Sequence, residues 1–136
     1  MGQQQVLLLA LLFCILGIVF SVHLINAEGE SVQTNRDALI DDLYKIAARA
    51  QQYYHRSFEE EGGDNSFRGL TRGIRGIESL KAAASTAHGE YFVVEPGNAR
   101  TVQLLGVGIE RGLNSGLPVR VLMTVWSDST SVSILN

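Results

Sequence analysis

The chain has 136 residues, with 11 basic and 14 acidic side chains and a formal net charge of −3. That length allows one domain beside a separate helix, and the acidic balance argues against a nucleic-acid partner, because binding a polyanion needs a basic surface. The single cysteine, Cys14, excludes an intramolecular disulfide.

Residues 6–25 form an apolar run interrupted only by Cys14, Gly17, Ser21 and His23, and no Lys or Arg precedes Arg36. The run matches the roughly 20 residues a membrane-spanning helix needs. It exceeds the roughly 7–15 apolar residues of a cleaved signal peptide. Insertion is favourable by on the order of 5 kcal/mol before the polar residues subtract from it. Val6, Leu9, Leu12, Phe13, Leu16 and Phe20 are therefore expected in a membrane or in a bundle of like helices. Cys14 reads as a small apolar side chain, and His23 lies where it can reach the headgroup region.

Residues 26–30 are polar with one glycine, a linker or a weak place in a helix. Beyond them Leu39, Leu43, Ile46, Ala50 and Tyr53 recur at intervals of four, three, four and three, which places them on one helical stripe. Asp37, Asp41, Lys45 and Arg49 fall away from it, with Asp41 and Lys45 at a favourable ion-pair spacing. Ser31 or Thr34 is the expected cap, and the helix is expected to fade near Phe58. This divides the chain into an apolar helix (1–27), an amphipathic continuation (28–61) and a remainder (62–136).

The remainder reads as a sheet. Residues 66–70 begin a strand or extended loop, and 77–87, rich in Ala, Ser and Leu, predict a short helix. Strands are predicted at 90–95, 101–109, 118–126 and 131–135, separated by turn signals at Pro96-Gly97-Asn98, 112–116 and Ser127-Asp128-Ser129. The apolar phase shifts between Leu104 and Leu105, which predicts a bulge there. In 118–126, Val119, Val121, Met123 and Val125 share one face. Consecutive strands with short turns favour an antiparallel meander, one face of which needs cover. The fold class is therefore α+β: a long N-terminal helix, apolar in its first half, packed by its second half on a small antiparallel sheet.

No residue pattern points to catalysis. His55 and Glu59 are one helical turn apart, but a metal site needs further ligands at matching spacing. Asp64 and Asn65 follow three glutamates without the spacing of a calcium loop. Gly106, Gly108 and Gly112 do not precede a helix, as a phosphate loop would. Ser129, Ser131 and Ser133 have no base near them in sequence, and Arg68, Arg72 and Arg75 read as a solvated face. No enzyme activity, metal or cofactor is expected. The C-terminal serines and threonines offer acceptors for an O-linked glycan.

Two segments carry a family resemblance. Met1-Gly2, followed within a few residues by the apolar run, is similar to a prepilin start. Ala47-Ala48-Arg49-Ala50-Gln51-Gln52-Tyr53-Tyr54 is similar to the helix end of many pilins. Together with the order of elements, the chain resembles a type IV pilin or a type II secretion pseudopilin. The resemblance implies a structural filament subunit, with processing after Gly2 and storage in a bacterial inner membrane. A pilus or secretion assembly machinery would then draw it into a surface fibre of identical copies. Gln3, Gln4 and Gln5 occupy the stretch where most pilins carry a glutamate, and their amides read as hydrogen-bonding partners between neighbouring helices. The same apolar segment also suits a single-pass, membrane-anchored extracytoplasmic binding domain that does not polymerise.

Overall fold

The computed structural model of the chain describes residues 2–112 and 116–135, and the side chains of all of these except 19–30. Helical backbone runs through Gly2–His55 (α1), followed by a single 3-10 turn at Phe58–Glu60, a short helix Ile74–Ser79 (α2) and five strands: Ser85–Thr86 (β1), Gly89–Val93 (β2), Val102–Arg111 (β3), Pro118–Val125 (β4) and Thr130–Ile134 (β5). The fold is α+β. The polar stretch 26–30 is helical backbone, not a linker, since one glycine costs a helix only about 1 kcal/mol. Ser31 and Thr34 consequently lie inside the helix, and neither caps it. The chain divides into two compact units, Met1–Ser31 and Val32–Asn136.

In the second unit the strands pair in chain order, β1-β2-β3-β4-β5, all antiparallel. The inner face is built by alternation: Tyr91 and Val93 on β2, Val102 and Leu104 on β3, and Val119, Val121, Met123 and Val125 on β4 are all buried. The second half of α1 covers this face with Leu39, Leu43, Ile46 and Ala50 buried and Tyr53 half-buried against the same core. Val32 and Ala47 extend the stripe, and Asp37, Asp41, Lys45 and Arg49 are exposed. Lys45 pairs with Asp42 at 3.7 Å, not with Asp41, because Asp42 sits closer to the sheet and accepts bonds from it.

The expected bulge at Leu104/Leu105 does not occur. The pairing is regular from Val102 to Val107, and the shift in register lies between Val107 and Arg111. Gly106 takes the inner position that follows Leu104, and its missing side chain makes room for Tyr91 and Leu43, whose atoms lie 3.2–3.3 Å from where a Cβ would stand. Leu105 looks out of phase only because the outer face also carries apolar residues, with Phe92, Leu105 and Leu122 aligned across three strands.

Between helix and sheet the predicted short helix is displaced. It spans Ile74–Ser79, and Ser85–Thr86, expected to be helical, is an edge strand. Helix α1 ends at His55, short of Phe58, because the following loop turns back onto it. The N–H groups of Gly63, Asp64 and Asn65 donate to the carbonyls of Tyr53, Arg56 and Tyr54 at 2.7, 2.9 and 2.7 Å. Glu61, Asp64 and Asn65 adopt positive φ angles of 61°, 48° and 62° to do so. Orphan carbonyls at a helix end are commonly satisfied in this way. Phe67 and Leu70 then enter the core.

Leu43 has no exposure and faces Gly106. Leu43→Ala should lower the unfolding free energy by about 2–5 kcal/mol, whereas Asp41→Ala, on the exposed face, should change it by less than about 0.5 kcal/mol. Urea titration of the full chain in a non-ionic detergent measures both; equal effects would contradict this packing.

Candidate functional site

The first unit carries the sequence's most conspicuous feature. Val6, Leu9, Leu12, Phe13 and Leu16 are each more than half exposed, as are Leu7, Leu8, Leu11, Ile15 and Ile18 between them. Exposure at consecutive positions means the described run is apolar on every side of the helix, not along one stripe. Such a surface exceeds the roughly 300–600 Å² of the largest apolar patch on an ordinary soluble monomer. Among the described residues no helix is long and apolar enough to cross a membrane. The Phe20, Ser21 and His23 side chains lie outside the described residues. Gln3, Gln4 and Gln5 are helical and exposed, one turn before this surface, with Gly2 at the start of the same helix. Cys14 is an exposed free thiol.

The second unit has a polar seam where α1 meets the sheet. Asn35 is 6% exposed. Its Nδ2 donates to the His88 carbonyl at 2.8 Å, and its Oδ1 accepts the Glu110 N–H at 3.2 Å. One amide thus bridges the entry to β2 and the irregular end of β3, where the register shift leaves ladder groups in need of partners. Two turns on, Asp42 Oδ2 accepts the Tyr91 hydroxyl at 2.5 Å and the Thr86 hydroxyl at 3.0 Å. Near the helix end Gln51 Nε2 donates to the Trp126 and Ser129 carbonyls at 3.1 and 3.3 Å. His55 Nε2 is 3.2 Å from the Ser127 carbonyl, which requires that nitrogen to carry the proton. The seam is structural: each side chain satisfies a group of the sheet or of a turn.

The structure also places the other residues that the sequence singled out. His55 is engaged with the turn between β4 and β5, and Glu59 stands on the 3-10 turn beyond the helix end. Asp64 and Asn65 supply backbone caps to α1. Among the described residues no group of three or more His, Cys, Asp and Glu is placed to hold a metal. Arg68, Arg72 and Arg75 are exposed. Gly106 and Gly108 lie under the helix as close-approach positions, and of the loop 112–116, residues 113–115 lie outside those described. Sequence reasoning missed Asn35 and Asp42. Asn35 falls four residues before Leu39 on the apolar stripe, and a polar residue in that register was the signal.

Neither a family model, a curated protein nor a solved structure matches the chain.

The Tyr91 hydroxyl has its pKa raised above the ordinary 10.0, first by burial and then by its hydrogen bond to Asp42; burial also raises that of Tyr53. A folded-state pKa above the unfolded one favours the protonated phenol, so this stabilisation is complete below about pH 10 and declines as pH rises through the folded values. Denaturant midpoints should therefore fall between about pH 8 and pH 11. Tyr91→Phe should lower stability at pH 8 by about 1–2 kcal/mol and flatten the alkaline loss; an alkaline slope as steep as wild type would remove Tyr91 from this role.

Proposed function

We propose that the chain is a structural subunit of a helical, type IV pilus-like surface filament. Its N-terminal helices form the core, and the helix-on-sheet unit forms the exterior. The observation that carries this reading is the apolar helix 6–18, exposed on every side, in a chain whose other unit has closed its own core. A surface apolar all round demands an all-round apolar environment. A lipid bilayer supplies that before assembly, and a bundle of identical helices supplies it afterwards. Contacts of heterologous, non-closing type between copies generate an open helical fibre. The resemblance of Met1-Gly2 with its apolar run, and of residues 47–54, supports the same reading. The head's seam of satisfied polar groups suits a passive building block.

In such a core Gln3, Gln4 and Gln5 act between copies. An unpaired buried amide costs roughly 1–3 kcal/mol, and glutamine, being both donor and acceptor, pairs with its own copies without a charge.

Negative-stain microscopy of sheared cell surfaces tests the reading: fibres labelled by an antibody to residues 32–136 are expected. Chain found only as detergent-soluble monomer would favour the anchored, non-polymerising domain instead. Leu12→Asp, placing a carboxylate in the core, should cost several kcal/mol and abolish fibres; normal yield would show that Leu12 does not lie between helices. Replacing Gln3, Gln4 and Gln5 together by Leu should keep membrane association but degrade helical order in fibre images. Fibres as well ordered as wild type would reduce the three amides to a polar cap.

A further inference from the structure

A cleft of about 410 Å³ opens between α1 and the end of α2, on the flank of the head. One wall carries Arg49 and Gln52 of α1 with Arg56 just past its end, the opposite wall Ser79, Leu80 and Lys81, and Tyr53 and Glu61 complete the lining. The volume falls within the roughly 300–1,000 Å³ usual for small-molecule sites. Three cations face one carboxylate here, in a chain whose net charge is −3. Lys45 pairs with Asp42 outside the lining of this cleft, whereas among the described residues no ion pair within 4.0 Å engages the Arg49, Arg56 and Lys81 side chains that gather in it. Like charges brought together on a folded surface repel one another, and an anion between them reverses the sign of that energy.

The placement of Lys81 is a second, independent observation. It stands just past α2 with φ 56°. Its N–H donates to the Glu78 carbonyl at 2.9 Å, and the Ala82 N–H donates to the Ile77 carbonyl at 3.4 Å. This is the left-handed position closing a helix, ordinarily glycine because a Cβ is disfavoured there. A lysine at this position lines the cleft at a conformational cost that glycine would avoid. Arg49 lies on α1 and Arg56 just past its end, where the Arg56 N–H still donates to the Gln52 carbonyl at 3.1 Å, and Gln52 lies between them with an amide donor.

We infer that this cleft binds a small molecule bearing an oxyanion, a phosphate or a carboxylate, of about the size of a monosaccharide. Arg49 and Lys81 hold the oxyanion from opposite walls, guanidinium and ammonium donating to its oxygens. Arg56 and Gln52 extend the donor row toward the rest of the ligand, and Tyr53 and Leu80 give it apolar contact. The inference is independent of whether the chain polymerises.

The test uses the full chain, ¹⁵N-labelled in non-ionic detergent at low salt, titrated with glucose 6-phosphate, glucuronate and glucose. Saturable shifts of the Gln52, Leu80 and Lys81 amides are expected with at least one oxyanion probe and not with glucose. The tighter of the two identifies phosphate or carboxylate as the preferred group. Arg49→Gln with Lys81→Gln should weaken binding by roughly tenfold or more, as loss of charge-assisted contacts does. Arg72→Gln with Arg75→Gln removes the same charge from exposed positions outside the cleft and should leave affinity within about twofold. All four side chains are exposed, so the melting temperature should be unchanged in both variants. Absence of saturation by either oxyanion, equal response to glucose, or equal weakening by the two double variants would overturn the site.

Discussion

The head depends on how closely helix α1 approaches strands β2 and β3. At Gly89 an added Cβ would stand 2.1 Å from the Val107 carbonyl oxygen and 3.0 Å from a methyl of Leu39; at Gly108 it would stand 2.1 Å from the Asn35 side-chain oxygen. Interiors are packed so densely that such space cannot be found elsewhere. Because side chains are missing on the sheet side, Leu39 and Leu43 reach the sheet surface and Asn35 reaches two backbone groups at once. The inner apolar face, the hydroxyl pair on Asp42 and the ties of Gln51 and His55 to the turn between β4 and β5 all presuppose that distance.

The two units meet the same physical requirement differently. In residues 32–136 the hydrophobic effect is satisfied internally, by one helix stripe and one sheet face. In the first unit the described large apolar side chains are each more than half exposed, so burying them would need an apolar surrounding. A lipid phase and a bundle of copies are the two apolar surroundings that also leave every helical backbone group bonded within its own segment. The filament proposal uses both in succession, and a simple anchor uses the first alone.

The sequence exposed those parts of the fold whose signal is periodic. Leu39, Leu43, Ile46 and Ala50 declared the helix face, and Val119, Val121, Met123 and Val125 declared the inner sheet face, because each is a strict recurrence of apolar side chains. The phase of β3 was obscured by Gly106, a buried position that carries no side chain, and by Leu105 and Val107 on an outer face that is apolar as well. Helix α2 was displaced in the reading because Gly76 is a poor helix former. Its value is spatial: a Cβ there would meet Val93 at 2.4 Å. The roles of Asn35 and Asp42 in the seam were illegible since their partners lie 53 and 49 residues away. The cleft lacks a motif altogether. Its cations come from α1, from the residue just past its end and from the second residue after α2, brought together only by the fold.

The meander has a further consequence for how the head is held together. Each strand pairs with its sequence neighbour, so the sheet closes through short loops. Seating α1 joins residues 44 to 78 positions apart. Closure entropy grows as the logarithm of loop length, which makes that step costlier than a ten-residue hairpin by roughly 1.5 kcal/mol. The sheet is thus entropically the easier part to form, and the helix the part that must be retained against chain freedom. Asn35 at one end of the contact, and Gln51 with His55 at the other, act as two fasteners set as far apart as the interface permits, so that neither end of the helix lifts away while the other holds.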